Sequence, residues 1–200
     1  MIRPQIDDFL SKLELICQTI DRAKIERVTN ELFGAWEKER QVFVFGNGGS
    51  ASTASHFACD LNKCTALPGK RRMRVLSLVD NLPWVSALTN DEGWDSVYVE
   101  QLRNFFRPGD LLLALSVHGG AGRASAGQWS QNCVKALLYG KENGGTVIGF
   151  SGYDGGVFNQ ICDISLIVPA NSTPHVEAFH VVVHHLITTC LVERIRGSSL

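Results

Sequence analysis

The 200-residue chain has little excess charge and no paired-cysteine motif. Its 19 lysines and arginines nearly balance 20 aspartates and glutamates, for a formal net charge of −1, so the composition gives no electrostatic reason to expect nucleic acid or an anionic membrane as a partner. The six cysteines form no CxxC pair, and we expect them to be reduced thiols. No apolar run approaches the roughly 20 residues that cross a bilayer. The opening MIRPQIDDFL has acids where a signal peptide needs an apolar core, so we expect a cytoplasmic protein.

Several nucleotide-binding and hydrolase motifs are also missing. The chain has neither the Walker pattern GxxxxGK[ST] nor a GxSxG nucleophile elbow, which disfavours a P-loop ATPase and an α/β-hydrolase. Gly46-x-Gly48-x-x-Ala51 nearly matches the dinucleotide fingerprint. However, the acid that should follow after about 20 residues is replaced by Asp80, which lies farther along the chain. A nicotinamide-linked enzyme is therefore a distant alternative.

What the chain does contain is a series of short apolar runs that indicate buried strands. They cover residues 42–45, 74–79, 111–117, 146–150 and 164–168. Helical patterns separate them and no hairpin signal joins them, so the sequence predicts a three-layer α/β/α sandwich around a five-stranded parallel sheet. Two amphipathic helices, over 5–20 and 23–39, precede the first strand. We expect a single domain over 1–200, with 1–40 as a leading helical pair and 41–196 as the sandwich.

The first strand leads into the stretch around which the chain is organised, GNGGSASTASHFACDL. A strand, a glycine turn and a helix N-terminus together make an anion site, because unpaired N–H groups and the helix dipole point at it. Serines at strand ends, including Ser50 and Ser116, favour a phosphate ester as the anion, although the same serines can simply cap helices. His56 and Asp60 share a face of the helix that follows.

The last predicted helix, from Pro174 to Arg194, holds four of the chain's six histidines within eleven residues, together with a glutamate. The side chains are His175, Glu177, His180, His184 and His185. At 100° per residue, Glu177 shares a stripe with His180 and His184, whereas His185 lies about 80° away. Geometry alone therefore favours His180 or His184 as the partner of Glu177.

Together, GNGGSAS…HFACDL and HVEAFHVVVHH resemble the SIS (sugar isomerase) domain, and within it the phosphoheptose isomerases, over nearly the whole chain. The pattern GNGGSxxxxxHFxxEL is matched except that Asp60 replaces its glutamate, and Q-x-x-H-x-x-x-x-H is matched except that Glu177 replaces its glutamine. With Glu177 and His180 aligned to this second pattern, its last histidine falls on His185, which favours His185 over His184 as the functional histidine. The phosphate loop S-T-S-G-N-S departs most, since His118 replaces its third serine, and the predicted loop over 118–131 is unusually long.

The resemblance implies interconversion of sedoheptulose 7-phosphate and a D-manno-heptose 7-phosphate through an enediol, in a homotetramer whose sites lie between subunits. We assign Asp60 as proton acceptor and His185 as an acid/base on the opposite side of the sugar. We expect Zn²⁺ to be held by His56, Asp60, Glu177 and His185. The residues expected to contact the substrate are Asn47, Gly48, Gly49, Ser50, Asp80, Asn81, Asp91, Ser116, His118, Gly119, Arg123, Ser125 and Glu177.

Three alternatives to a phosphoheptose isomerase stay open at this point. One is an isomerase of another long-chain sugar phosphate in a specialised pathway, which the unusual 118–131 loop favours. The others are a SIS domain that only senses a phosphosugar and a SIS interaction protein without catalysis. The retained His56, Asp60, His180 and His185 favour chemistry, because a scaffold has no need of them.

Overall fold

The computed structural model describes residues 2–120 and 129–200 and confirms the predicted sheet. All strand pairs are parallel, in the order β2-β1-β3-β4-β5. Gly46 at the end of β1 is in register with Leu115 at the end of β3, so the loops that leave these two strands begin side by side. The strands are β1 Gln41–Gly46, β2 Arg74–Ser77, β3 Leu111–Leu115, β4 Thr146–Ser151 and β5 Ile164–Ile167.

Helices cover both faces of the sheet, which gives the predicted three layers. One apolar cluster joins α2, α3 and α8 to one face, and a second joins α5, α6 and α7 to the other. The short α7 was not predicted from the sequence. The helices are α1 Arg3–Thr19, α2 Arg22–Glu37, α3 Gly49–Cys64, α4 Leu82–Asp91, α5 Val97–Phe105, α6 Gln131–Glu142, α7 Phe158–Ile161 and α8 Thr173–Gly197, with a 3₁₀ turn at Trp94–Ser96.

The two leading helices differ in how much of their apolar surface is buried against the rest of the chain. Helix α2 begins at Asp21, whose carboxylate accepts a hydrogen bond from the Lys24 N–H at 3.0 Å, and it buries a full apolar face against the core. Helix α1 buries only Ile16 and leaves Ile6 and Leu10 about half exposed, at 46% and 52%. Most of the apolar stripe of α1 is therefore not covered by its own chain.

Helix α8 is long and apolar enough to cross a membrane by length and composition, but half of its most apolar window is buried within the fold. Val176, Val183, Ile187 and Leu191 on α8 belong to the core cluster shared with α2 and α3. Packing inside the protein therefore accounts for the apolar composition of this helix.

Candidate functional site

A cavity of about 240 Å³, lined mainly by residues with polar side chains, lies where the ends of β1 and β3 meet the start of α8. Serine, threonine and asparagine side chains supply much of its wall, while one histidine and one glutamate are its ionisable members among the described residues. Such groups suit a phosphorylated sugar, because hydroxyls and amides can bind both phosphate and sugar oxygens. The lining residues are Asn47, Ser50, Ser116, Val117, His118, Trp129, Ser130, Thr173 and Glu177.

The glycine loop that leads into α3 borders this cavity through Asn47 and Ser50, whereas Gly48 and Gly49, which we expected to contact the substrate, do not line it among the described residues. Gly48 is the residue before α3 and has φ of 57° and ψ of −123°, a backbone conformation that favours glycine. Gly49 leaves room for Glu177, since a methyl group on Gly49 would come within 2.5 Å of Glu177 Oε1. The predicted strand, turn and helix N-terminus are thus present, with a carboxylate from α8 beside them.

Asn47 is held in place by groups that the sequence did not point to. Its amide exchanges two hydrogen bonds of 2.9 Å with the amide of Asn132 on α6. The Tyr98 hydroxyl donates to the Gly46 carbonyl and lies 3.2 Å from Asn47 Oδ1. These bonds fix the amide of Asn47 and tie the glycine loop to the helices on the other face of the sheet.

The loop after β3 is held by close backbone contact with the loop after β4. Gly119 has φ of 58°, and a Cβ there would lie 2.0 Å from the Gly155 carbonyl oxygen. The Ser116 and Ser130 hydroxyls are 3.0 Å apart, so they also link the start of this loop to the start of α6. Two predicted substrate contacts, Arg123 and Ser125, fall outside the residues that the structure describes.

His118 is packed between two aromatic rings at the edge of the cavity. Its ring centroid is 4.4 Å from that of Trp129 and 4.4 Å from that of Tyr153. Partial burial lowers the pKa of His118, and the nearby Asp154 carboxylate opposes this shift. At neutral pH the free protein therefore presents a neutral imidazole to the cavity.

A second constellation lies farther along α3 and α8 and joins four side chains around a single carboxylate oxygen. Asp60 Oδ2 is 3.1 Å from His185 Nδ1, 3.6 Å from His184 Nδ1 and 3.6 Å from His56 Nε2. The donor atoms of these four residues all lie within 4.8 Å of one another. The carboxylate is mostly shielded from solvent, whereas His56 and His185 are about half exposed.

This donor set fits a zinc ion. Tetrahedral Zn²⁺ with bonds of about 2.0–2.1 Å places neighbouring donors about 3.3 Å apart, and the distances from Asp60 Oδ2 are 3.1, 3.6 and 3.6 Å. Burial, followed by the neighbouring His185 and His56, lowers the pKa of His184 to about 4, although Asp60 opposes the shift. A neutral imidazole keeps the lone pair that a metal requires.

The cavity and the His/Asp cluster lie on the same two helices. Glu177 faces Gly49 at the start of α3, while His185 faces Asp60 toward its end, so α3 and α8 run side by side in the same direction. Seven to eight residues separate the two contacts along α8, which corresponds to about 10–12 Å. Along α3 the same two contacts, at Gly49 and Asp60, are eleven residues apart, or about 16 Å. The two constellations therefore lie one after the other along the same pair of helices.

Two of the predicted arrangements differ from what the structure shows. Glu177 is not in the His56, Asp60 and His185 group, where His184 is found instead, because Glu177 lies two helical turns earlier on α8. Asp60 and His185 are 3.1 Å apart, so within one chain they do not stand on opposite sides of a sugar.

His180, which the stripe geometry favoured, lies in the core. It is 1% exposed, and its Nε2 lies 3.3 Å from the Ser151 carbonyl oxygen. Burial lowers its pKa to about 4, with the bond to Ser151 opposing the shift. Ser151 is itself fully buried, so neither side chain lines the cavity.

The remaining predicted contacts, Asp80, Asn81 and Asp91, do not line the cavity among the described residues. Asp80 accepts a hydrogen bond from the Ser55 hydroxyl on α3, and Asn81 caps α4 by accepting from the Trp84 N–H at 3.3 Å. Asp91 is exposed at the end of α4, where it accepts a bond of 2.7 Å from Asn90. These interactions give each side chain a local structural role.

Comparison with known proteins agrees with this architecture. The SIS domain family matches residues 7–152. The lincomycin biosynthesis protein LmbN of Streptomyces lincolnensis is 44% identical over 160 residues, covering 78% of this chain but only 57% of that protein. The phosphoheptose isomerase of Geotalea daltonii is 31% identical over 98% of this chain and 96% of its own length.

A solved phosphoheptose isomerase structure has the same fold. Phosphoheptose isomerase GmhA from Neisseria gonorrhoeae superposes with a TM-score of 0.84 over 96% of this chain and 98% of that one, at 23% identity. The chain therefore belongs to the SIS domain family, in which its curated relatives include phosphoheptose isomerases.

Proposed function

We propose that this protein is an aldose–ketose isomerase of a phosphorylated sugar, with sedoheptulose 7-phosphate and D-glycero-D-manno-heptose 7-phosphate as its substrate pair. The observation that carries the proposal is the pairing, along α3 and α8, of a cavity lined mainly by polar side chains with a cluster of three imidazoles and a carboxylate. The cavity suits the phosphate, and the cluster suits proton transfer between neighbouring carbons. The phosphoheptose isomerases among its relatives support the same reaction.

Asp60 and His185 are the residues proposed to move the protons. Asp60 faces the histidines through Oδ2, which leaves Oδ1 to take the proton from the carbon next to the carbonyl. His185 turns Nδ1 toward Asp60 and leaves Nε2 to give a proton to the carbonyl oxygen. The resulting enediol returns to a sugar when the proton on Asp60 goes to the adjacent carbon and His185 recovers a proton from the other oxygen.

We propose Zn²⁺ as the cofactor at this cluster. Zinc bound at this cluster would polarise the carbonyl and hydroxyl oxygens of the sugar. The chain's own residues set the position of the sugar, because the cavity, with Asn47 and Ser50 of the glycine loop in its wall, holds the phosphate. Orientation of this kind contributes to the rate because the reacting atoms no longer have to find one another.

A second candidate is an isomerase of a different long-chain sugar phosphate in a specialised pathway. The higher identity, 44% against 31%, is with a protein named for lincomycin biosynthesis rather than with a phosphoheptose isomerase. His118 also stands at the cavity where the phosphoheptose isomerase pattern has serine. These two observations favour the same proton chemistry on a sugar of another length or configuration.

The proposed function is tested by incubating the protein with sedoheptulose 7-phosphate in deuterated water, with and without added zinc, and following the sugar by NMR. A new aldoheptose signal is the expected result. Solvent exchange at carbon without that product would support the second candidate instead. A folded protein that binds the phosphosugar but gives neither exchange nor product would overturn both isomerase proposals in favour of a sensor or scaffold.

We further propose a cytoplasmic homotetramer with sites between subunits, in which residues 1–40 act in assembly and 41–196 form the catalytic sandwich. The half-exposed apolar residues Ile6 and Leu10, one turn apart on α1, support this, because large apolar side chains grouped on one face usually meet a partner. An opposing acid or base from a neighbouring subunit would also restore the two-sided arrangement of catalytic groups. Sedimentation velocity measures the assembly state directly.

Replacing His118 by serine is expected to remove a pH dependence from phosphate binding. Bound phosphate favours the imidazolium form and so raises the pKa of His118 above its lowered value in the free protein. The imidazolium form of His118 therefore gives its full gain in phosphate affinity at pH values below the pKa of His118 in the free protein. That gain is lost as the pH rises through the pKa of His118 in the phosphate complex. From pH 5.5 to 8.5, inorganic phosphate should weaken roughly tenfold more on the unchanged protein than on His118→Ser, equivalent to a shift of about one pKa unit.

Calorimetric titration at several pH values measures this difference. Ionisation of the phosphate itself is common to both proteins and cancels in the comparison. Parallel pH profiles for the two proteins would show that His118 does not contact the phosphate.

A further inference from the structure

Four side chains among the described residues have buried polar atoms without a hydrogen-bond partner, Ser151, Ser165, His180 and His184, and His184 is the one with two such atoms. It is 0% exposed, and neither of its ring nitrogens has a hydrogen-bond partner among the described residues. Buried polar atoms are almost always paired, so an imidazole with two unpaired nitrogens calls for a ligand. Its Nδ1 lies 3.6 Å from Asp60 Oδ2, which is too long for a hydrogen bond.

We propose that His184 is a direct ligand of the metal at this cluster and takes the place that the family pattern gives to the residue at Glu177. The ligand set is then His56, Asp60, His184 and His185, with three imidazole nitrogens and one carboxylate oxygen, and a sugar oxygen would be an additional fifth ligand, a number that zinc can reach during reaction. The 3.6 Å separation between His184 Nδ1 and Asp60 Oδ2 is close to that of two donors on one zinc ion. This inference rests on the proposed zinc site but not on which sugar the protein isomerises.

The surroundings of His184 are those of an oriented ligand. Its ring lies 4.7 Å from the ring of His56 and 4.2 Å from that of His185. It also packs against Phe57, with the two ring centroids 5.3 Å apart. The ring therefore has few alternative positions, which keeps a ligand nitrogen aimed at the cluster.

Glu177 is left for a different task. Its carboxylate lies against Gly49 at the start of α3 and lines the phosphate-sized cavity, about two helical turns from His184. In that position it can accept hydrogen bonds from sugar hydroxyls. Glutamate in place of the family's glutamine at residue 177 therefore changes the sugar pocket. It leaves the ligands of the metal site unchanged.

The proposal is tested with the full chain by Co²⁺ titration, which reports on binding through visible absorption. His184→Phe retains a ring against Phe57 and removes both nitrogens, so Co²⁺ affinity should fall at least about 100-fold, since even outer partners of metal ligands are worth 10–100-fold. The matched variant Glu177→Gln should bind Co²⁺ within about twofold of the unchanged protein. Loss of binding in Glu177→Gln together with retention in His184→Phe would overturn the assignment.

A second measurement uses the unchanged protein, so that it does not depend on the folding of His184→Phe. Zinc is added to protein containing ¹⁵N-histidine, and the ring nitrogens are followed by NMR. Shifts of Nδ1 in both His184 and His185 support the proposal, whereas an unmoved His184 ring refutes it. Metal binding is measured here without turnover, so an inactive protein that binds zinc through His184 would refute the isomerase and leave this site intact.

Discussion

Asp60→Asn is expected to lower isomerase turnover by a factor of roughly 10² to 10⁴, the usual contribution of a positioned general base. Asparagine has the shape of aspartate but cannot take a proton from carbon at neutral pH. The proton-transfer role rests on the position of Asp60, whose Oδ2 faces three imidazoles while Oδ1 stays available to the substrate. Turnover and deuterium incorporation at the sugar carbon should fall together.

Two controls separate proton transfer from other effects of this change. Glu193→Gln removes a carboxylate that is 65% exposed and pairs with Arg196 at the far end of α8, and it should leave turnover unchanged. Zinc content is measured on the same Asp60→Asn sample, because loss of a carboxylate ligand also weakens the metal site. Turnover within tenfold of the unchanged protein would rule out Asp60 as the proton acceptor.

Gly119→Ala is expected to cause the largest structural effect of any single methyl group in the loops around the site. A Cβ at this position would lie 2.0 Å from the Gly155 carbonyl oxygen, and backbone atoms cannot move aside as a flexible side chain can. The positive φ of 58° adds about 1–2 kcal/mol of conformational cost. We expect a total destabilisation above about 4 kcal/mol, which is exceptional for one substitution, together with loss of phosphate binding.

Gly48→Ala is the matched comparison, because Gly48 has nearly the same φ, 57°, but no atom of the described residues within 4 Å of its added Cβ. It should lower the free energy of unfolding by about 1–3 kcal/mol, the cost of a side chain at φ of 57° and ψ of −123°, a backbone conformation outside the left-handed helical region. Urea unfolding of both variants measures the difference. Equal destabilisation would mean that the contact between the loops after β3 and β4 does not constrain the fold.

The sheet and its layers could be predicted because burial on both faces leaves a clear mark on sequence. Leu111–Leu115 is fully buried and reads as an unbroken apolar run, as expected of a central parallel strand. The glycine loop was equally clear, since its strand, turn and helix are adjacent in sequence. Features formed within one short segment, such as a buried strand or the glycine loop, could thus be predicted from the sequence pattern alone.

The site was harder to predict where two elements meet. Residues 184 and 185 point 100° apart on α8, and sequence spacing favours one or the other, yet both reach Asp60 because its oxygen lies between them. The rotation of α8 about its own axis, where it packs on α3, decides which histidines reach Asp60, and no local sequence pattern encodes that rotation. Asn132 and Tyr98, which fix Asn47, were missed for the same reason, since they come from helices on the opposite face of the sheet.

The two parallel helices also have a consequence for substrate choice. Since the phosphate cavity and the Asp60–His185 pair are attached to the same rigid backbone, the interval between them cannot adapt to a shorter molecule. A five-carbon ketose phosphate should therefore inhibit competitively while its carbonyl falls short of the acid and base, and turnover of it at the rate of the longer sugar would show otherwise. Selection by length in this protein thus requires no contact with the middle carbons, and substitutions between the cavity and the Asp60–His185 pair can change the preferred configuration of those carbons without changing how many of them there are.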